Sequence, residues 1–245
     1  MFENIGEIVL LFWRTLLALP YSWRQRQKVC EQFFEIGNAS LLMVCVLSFF
    51  IGAVIALQTG PVLVERSLSS AVGGVVGIAI AKELAPVMMA ILIAGRIGSA
   101  MAAEIGSMRV YQEIDALRTM NINPIHYLVL PRLLAIAVAL PMLVVSSILI
   151  GWFGGAVVAD MNSHMEIPFR AFYSDLQNVV VLQDVGNGVF KSFCFALIIG
   201  VVSCHQGLNT IGGPRGIGRS VTKAVVNSIV CIVMFDYVLT RFLLK

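Results

Sequence analysis

Residues 94–117 read AGRIGSAMAAEIGSMRVYQEIDAL, an apolar segment rich in small residues that runs directly into a charged one. Small residues let helices approach closely inside a membrane, where association depends on packing because the lipid is as apolar as the helices. The charged continuation is amphipathic and suits a protein partner in water. The stretch therefore predicts a membrane helix that ends in a short element made for an external partner.

The small residues of this stretch fall into two rows at helical spacing. Every fourth residue is small in both rows, which are Ala94, Gly98, Ala102 and Gly106, and beside them Gly95, Ser99, Ala103 and Ser107. Such rows bring two helix backbones together. The neighbour is either another helix of the same chain or the same helix in a second copy, and the sequence leaves both open.

The composition places the chain in a membrane. Of its 245 residues, 58% are hydrophobic and 13% are charged, and the mean hydropathy is +0.89. So little polar surface could not cover a soluble globule. The length holds a handful of spans of about 20 residues each, so residues 1–245 are expected to form a single membrane domain. A formal net charge of +3 does not indicate a nucleic-acid partner.

Five apolar stretches are long enough to cross a bilayer, which needs about 20 residues per helix. They cover about residues 40–57, 71–103, 133–159, 186–203 and 224–244. Lysine and arginine are concentrated on one side of the resulting topology, which predicts a cytoplasmic N-terminus and a C-terminus on the outer side. The acidic segment with Asp160, Glu166, Asp175 and Asp184 then faces outward.

The N-terminal residues 1–39 are predicted to lie at the membrane interface. Residues 5–19 are apolar but too short to span, and Trp13, Tyr21 and Trp23 are typical interfacial anchors. The predicted fold is therefore an all-α integral membrane protein. In it, an N-terminal interfacial helix precedes a bundle of five transmembrane helices over residues 40–245, with a short cytoplasmic helix between spans two and three.

Charged residues inside a span are costly and mark functional or structural contacts. Lys82 and Glu83 lie near the middle of the second span, with Pro86 one turn later. Adjacent helical residues point about 100° apart, so each charge needs its own partner. Two interpretations stay open: a polar patch on a cavity for a lipid head group, with Lys82 attracting phosphate, or a buried structural network. Pro86 removes a backbone hydrogen bond and favours a bend.

A second set of intramembrane charges lies in the last two spans. Lys191 in the fourth span and Asp236 in the fifth lie at depths that differ by about 5 Å, at a rise of about 1.5 Å per residue. Neither charge is stable alone in lipid. We therefore predict an ion pair between them that joins the last two helices.

Charged and apolar residues alternate directly after the small-residue rows. An apolar stripe runs through residues 110, 114 and 117, and the charges are Glu104, Arg109, Glu113, Asp115 and Arg118. The sequence Asn-Ile-Asn-Pro at 121–124 then breaks the helix. A short helix of this kind can insert into a groove on an ATPase, although a solvated or interfacial loop helix is the more frequent explanation of such a pattern.

No catalytic site is indicated. Residues 213–220 nearly match a phosphate-binding loop, but Arg219 stands where the lysine belongs, and a flexible, cationic cytoplasmic loop between spans four and five is expected there instead. The three histidines lie in different segments, without the spacing of a hydrolytic or metal site. The five cysteines have no CxxC spacing and are expected to be packed free thiols.

Residues 82–117, KELAPVMMAILIAGRIGSAMAAEIGSMRVYQEIDAL, resemble the signature of the MlaE-type permeases, the membrane subunits of ABC transporters that work with MCE-domain proteins. The C-terminal part is similar as well, with GGPRGIGR at 212–219 and AVV at 224–226 before Asp236. The resemblance covers about residues 52–243, which is most of the chain. Its motifs are long and specific, unlike a single pair of spaced glycines.

The resemblance implies a homodimer of five-span subunits in a bacterial inner membrane. Its partners would be two ABC ATPase subunits and a small STAS-type subunit on the cytoplasmic side, and an MCE-protein ring on the outer side. The implied cargo is lipid, chiefly phospholipid, with ATP and Mg²⁺ used by the ATPase and no cofactor bound by this chain. Arg109, Glu113 and Asp115 would lie in a coupling helix that faces the ATPase, and the small-residue helix would lie near the dimer cavity.

Two other functions stay open from the residues alone. A stand-alone secondary carrier would be expected to show inverted repeats and discontinuous helices, and an odd number of spans with no visible repeat argues against it. A membrane-embedded lipid-modifying enzyme would need a nucleophile, base or metal set that converges at one place, and none is visible. The predicted role is therefore that of a permease subunit without catalytic activity of its own.

Overall fold

The structure, a computed structural model, describes residues 2–18, 25–162, 165 and 167–243. These residues form helices and connecting turns with no strand among them, which confirms the all-α prediction. The predicted interfacial anchors Tyr21 and Trp23, and Glu166 of the acidic segment, lie outside the described residues.

Five helical stretches are long and apolar enough to cross a membrane: Arg26–Glu65, Ser69–Val110, Ile125–Met161, Leu182–Leu208 and Gly213–Leu243. The prediction of five spans is therefore confirmed. Each helix extends beyond the apolar stretch that predicted it, because hydropathy marks the part that suits lipid whereas backbone hydrogen bonding continues into the polar flanks. The first span begins at Arg26, inside the region predicted to be interfacial, and not near residue 40.

The individual helices are α1 (Phe2–Leu17), α2 (Arg26–Glu65), α3 (Val72–Ala79), α4 (Ala85–Ile93), α5 (Ser99–Val110), α6 (Glu113–Thr119), α7 (Leu130–Met161), α8 (Phe169–Val179), α9 (Leu182–Leu208) and α10 (Gly213–Leu243). Helices α3, α4 and α5 follow one another within the second span. They are joined by π-helical turns at Ile80–Leu84 and Ala94–Gly98, and a third such turn, Ile125–Val129, leads into α7.

Two of the π-helical turns end two residues before a proline. Ile80–Leu84 precedes Pro86, and Ile125–Val129 precedes Pro131. Proline has no backbone N–H, and its ring crowds the carbonyl group four residues earlier. The wider turn relieves this conflict, since the Ala85 N–H donates to the Ile80 carbonyl five residues back. The backbone irregularity expected at Pro86 is therefore a π-helical turn on its N-terminal side.

Helix α1 has an exposed apolar face and a packed one. Val9, Leu10, Trp13 and Leu17 are each more than half exposed, whereas Leu11 is buried. This amphipathic helix is the N-terminal helix that the sequence predicted. Its exposed apolar face suits the head-group region of a bilayer, and its position in that region stays a prediction.

The chain divides into two compact units. The first comprises Met1–Asn38, Ala90–Leu140 and Phe193–Lys245, and the second comprises Ala39–Met89 and Pro141–Ser192. In the first unit α5 packs along α10. Its apolar cluster joins α1, α5 and α6 to the start of the third span and the end of α9, through Leu11, Ile105, Ile114, Leu128, Val129, Leu133, Val201 and Cys204.

Glycines in the second unit let α2 and α7 touch through their backbones. A Cβ atom on Gly52 would overlap the carbonyl oxygen of Gly151, and one on Gly154 would overlap that of Phe49. Ser48 Oγ and Ser147 Oγ also form a buried hydrogen bond of 2.7 Å. Such close approach is the usual basis of helix association in lipid.

Helix α8 was not predicted. It packs on α3, where Phe172 is fully buried and the Asp175 carboxylate accepts a 2.8 Å hydrogen bond from the Gly74 N–H. The buried pair Phe172 and Leu176 lies one helical turn apart, which is the signal of an amphipathic helix. The spacing of Phe172 and Leu176 is the sequence signal that could have predicted this helix.

The prediction of a flexible cationic loop at residues 213–220 is wrong, because these residues are helical. Only residues 209–212 separate α9 from α10, and Arg215, Arg219 and Lys223 belong to the first turns of α10. Gly212 and Gly213 have φ values of 97° and 69°, which glycine adopts at no steric cost. Proline is tolerated in the first turn of a helix because the N–H there has no helical partner. The glycines and proline thus start a helix and do not extend a loop.

Gly52→Ala is expected to lower the free energy of unfolding by about 1–3 kcal/mol, because the added methyl group would overlap a backbone carbonyl. Gly218→Ala is the matched control, since its Cβ would enter open space within α10. This control is expected to stabilise by about 0.5–1 kcal/mol through the restricted backbone of alanine. Thermal unfolding in detergent, followed by circular dichroism, measures both, and equal shifts in melting temperature would contradict the backbone contact.

Candidate functional site

The predicted partner-binding helix is present, but it begins at Glu113 and not at Arg109. Helix α5 continues to Val110, and Gln112, with a left-handed φ of 62°, separates it from α6. Arg109 therefore belongs to the last turn of α5. Asn121, with a φ of 60°, follows the end of α6, in agreement with the break predicted at residues 121–124.

The carboxylate of Asp115 ties α6 to α5. Its Oδ1 lies 2.8 Å from Arg109 Nη1 and 3.4 Å from Arg118 Nη1. The bond to Arg109 crosses the turn between the two helices and holds their relative orientation. Arg109, Asp115 and Arg118 were predicted to face an ATPase. Both arginines contact the Asp115 carboxylate, and all three side chains remain partly exposed.

Helix α6 buries one face and exposes the other. Ile114 is 1% exposed, and Leu117 packs against the same apolar cluster, which agrees with the predicted apolar stripe. Glu113 is exposed, and Tyr111 and Met120, which flank α6 in the sequence, are 66% and 62% exposed. Tyrosine and methionine are enriched at protein–protein interfaces. The exposed face of α6 is therefore suited to a protein partner.

Glu104, also predicted to face the ATPase, makes a structural contact. Its carboxylate lies 2.8 Å from Arg132 Nη2 near the start of α7. The Arg132 side chain is 9% exposed and that of Glu104 is 51% exposed. A nearly buried guanidinium needs such a partner, so this ion pair joins α5 to α7.

The adjacent charges of the second span have separate partners on α9. Lys82 Nζ lies 2.9 Å from Asp184 Oδ1, and Glu83 Oε2 lies 2.8 Å from Lys191 Nζ. The Lys191 side chain is only 3% exposed, so its charge is stable in an apolar region only with a carboxylate beside it. The requirement for separate partners, drawn from the sequence, is met by two ion pairs in the second unit.

Between these ion pairs, α9 touches the second span directly. Asp184, Gly188 and Lys191 lie four and three residues apart and so share one face of α9. A Cβ atom on Gly188 would overlap the Ala81 carbonyl oxygen and lie 3.3 Å from Pro86 Cγ. The backbones therefore meet at Gly188, with an ion pair on each side. This spacing was visible in the sequence, but Asp184 was assigned only to the outer segment.

The predicted pair of Lys191 with Asp236 stays a prediction. Lys191 belongs to the second unit and Asp236 to the first. Within the second unit, Lys191 donates a hydrogen bond to Glu83, a contact that was not predicted. The prediction rests on the similar depths of Lys191 and Asp236 in the last two spans.

The two small-residue rows have different surroundings. In the first row, Ala94 and Ala102 are buried, and a Cβ on Gly98 would lie 2.9 Å from Ser203 Oγ of α9. That row packs within the chain. In the second row, Gly95 is exposed with open space around it and Ser99 is partly exposed. The role of the second row at a dimer interface stays a prediction.

No group of three or more His, Cys, Asp or Glu residues is positioned to hold a metal ion among the residues described. All five cysteines are free thiols. Glu7 and His205 lie 198 positions apart and meet at 3.1 Å, a contact for which the sequence carried no signal.

Comparison with known proteins gives the family. The family described as permease MlaE matches residues 29–242. A probable ABC transporter permease protein of Synechocystis is 38% identical over 239 residues, which are 98% of this chain and 90% of that protein. One from Rickettsia felis is 37% identical, with 99% of this chain and 93% of that protein covered.

A plant protein is also similar. Protein TRIGALACTOSYLDIACYLGLYCEROL 1, chloroplastic, of Arabidopsis thaliana is 34% identical over 237 residues, covering 97% of this chain and 65% of the plant protein. The family match spans most of the chain, and the bacterial relatives align over nearly their full length. With its multiple apolar helices, the chain is a multi-pass membrane protein that belongs to the MlaE permease family.

Proposed function

We propose that this chain is the permease subunit of an ABC transporter that moves phospholipid or a related lipid between the inner membrane and an MCE-domain partner. Relatives named as probable ABC transporter permeases support the transporter class. The name of the chloroplast relative refers to a galactolipid, which supports a lipid cargo. The observation that carries the proposal is the exposed face of α6 on a helix that is held firmly to the membrane helices.

A push on α6 would reach the membrane helices through contacts within the first unit. Asp115 binds Arg109 at the end of α5, and Ile114 is packed in the apolar cluster. A displacement of α6 would therefore move α5. Helix α5 packs along α10, and Gly207 of α9 lies against the Ile105 side chain. Close-packed helices shift as units because their interiors do not deform continuously.

Energy comes from partner subunits in this proposal. ATP and Mg²⁺ are used by two ABC ATPase subunits, and the chain itself binds no cofactor. Two copies form the membrane part, with a STAS-type subunit on the cytoplasmic side and an MCE-protein ring on the other. The N-terminus is cytoplasmic and the C-terminus periplasmic. Two membrane spans separate α6 from the start of α10, so the two regions lie on the same side of the membrane in this topology. The positive charge of Arg215, Arg219 and Lys223 supports a cytoplasmic location for that side.

Lys82 is the proposed contact for a head-group phosphate. Its side chain remains 32% exposed although it is paired with Asp184, and an ammonium group has three donors. Glu83 is also partly exposed, at 42%, and could meet the cationic part of a zwitterionic head group. Pro86 is buried, so it would shape this region through the π-helical turn and not by contact with lipid.

Purification of the protein with the products of its native operon tests the proposed assembly. We expect two copies of this chain with two ATPase subunits and an MCE-domain protein in one complex, which native mass spectrometry would count. A monomer that is purified without an ATPase, while the other operon products are expressed and folded, would contradict the proposal.

Glu113→Lys is expected to lower ATP hydrolysis by the assembled complex about tenfold, because a reversed charge at an interface costs more than about 1.4 kcal/mol. Glu113 is exposed on α6, so the substitution should leave the fold intact. The matched control is Glu65→Lys at the exposed end of α2, which should keep normal turnover. Equal losses in the two variants would show that α6 is not the contact with the ATPase.

Lys82→Gln and Asp184→Asn distinguish a head-group contact from a structural ion pair. Both substitutions break the same pair. If Lys82 binds phosphate, Lys82→Gln should lower lipid transfer about tenfold through loss of a charged hydrogen bond, while Asp184→Asn should retain most of the transfer. Transfer of fluorescent lipid in proteoliposomes measures this difference. An equal loss of lipid transfer in both variants would show that the Lys82–Asp184 pair has only a structural role.

A further inference from the structure

A cavity of about 810 Å³ lies in the first unit, and the proposed transport mechanism assigns no ligand to it. It lies among α1, the end of α5, α6, residues 123–126 and the end of α9. Its volume falls within the range of about 300–1,000 Å³ that ligand pockets occupy. The cavity therefore has room for a small molecule or for part of a lipid.

Among the charged side chains of the lining, cationic ones are in the majority. Arg14, Arg109 and Arg118 all line the cavity, and Glu7 is the carboxylate among the lining residues described. Arg109 and Arg118 share Asp115 as a partner. Arg14 is exposed and has no ion pair among the described residues. The guanidinium groups outnumber the carboxylates, so the cavity favours an anion.

The Glu7 carboxylate is already engaged by neighbouring donors. Its Oε2 lies 3.1 Å from His205 Nε2 and 3.3 Å from Asn209 Nδ2. The His205 side chain is 6% exposed, and its Nδ1 is buried without a hydrogen-bond partner among the described residues. His126 also lines the cavity. Hydrogen bonds to Glu7 reduce its repulsion of an incoming anion, and they fix α1 to the end of α9.

One side of the cavity continues into an apolar surface. Leu10 and Leu17 line the cavity and are 56% and 68% exposed. Val9 and Trp13 extend the same exposed apolar surface on α1. A ligand that fits this arrangement has an anionic group for the interior and an apolar part for the surface of α1. A free phosphate ion would leave the apolar side unused.

We propose that the cavity binds an anionic phospholipid of the adjoining leaflet. The phosphate is held by Arg14 and Arg118, and the acyl chains lie along Leu10 and Leu17. The bound lipid would connect α1 with α6, which the proposed function assigns to the ATPase contact. The site is separate from the region of Lys82 and holds whether or not the transported cargo is lipid. Photolabelling tests the lipid site and lipid transfer tests the transport proposal, so a failure of one is distinguishable from a failure of the other.

Photolabelling of the full complex tests this site. The complex is placed in phosphatidylcholine nanodiscs with a trace of photoactivatable phosphatidylglycerol, and labelled peptides are identified by mass spectrometry. We expect labelling of α1 and α6 that falls about fivefold in Arg14→Gln, since a basic residue near a membrane contributes about 1 kcal/mol to anionic-lipid binding. Arg14→Lys should retain it. Arg219→Gln changes an exposed residue of α10 that is not among the lining residues, and it should label as the wild type does.

Two comparisons decide between occupants. A phosphatidylcholine probe with the same photoactivatable group should label these helices weakly, and equal labelling would overturn selection for anionic lipid. Inorganic phosphate should not displace the lipid probe, and displacement would assign the cavity to a free anion. Unchanged labelling in Arg14→Gln, or no labelling of α1 and α6 in the wild-type complex, would also overturn the proposal.

Discussion

The contact between Gly188 of α9 and the Ala81 carbonyl is the constraint on which the second unit depends. It is flanked by the Lys82–Asp184 and Glu83–Lys191 ion pairs. Burial of apolar surface does not drive helices together in lipid, so backbone proximity and paired charges must do so. Each feature requires the others, because the pairs form only where the backbones are close and the charges are tolerated only when paired. The π-helical turn before Pro86 lies at this contact.

Close helix packing at small residues and ion pairs also stabilise the first unit. Its small residues allow α5 to pack against α9, and its ion pairs lie at the end where α6 leaves the membrane helices. The ion pair of Asp115 with Arg109 and the burial of Ile114 fix α6 to the membrane helices, while Glu113 is exposed and accessible to a partner. A membrane subunit can be driven in this way, because force on an exposed helix is passed on by contacts that resist separation.

The sequence predicted what depends on local pattern. The number of spans, the N-terminal helix and the apolar stripe of α6 followed from hydropathy and helical spacing. It did not predict which partners meet across the fold. Hydropathy and depth did not show, for example, that Glu83 contacts Lys191. Glycine and proline at 212–214 are compatible with a loop and with the start of a helix, and here they lie at the start of α10.

Reconstitution into liposomes measures most directly whether this chain is the membrane half of an ATP-driven lipid transporter. Lipid transfer to an acceptor would be followed for the chain alone, for the chain with its ATPase subunits, and for the complex with and without ATP. Transfer is expected only from the complex with ATP, and it should stop when the ATPase is inactivated. Lipid transfer by the chain alone at the same rate, without nucleotide, would contradict the proposal and identify a stand-alone carrier.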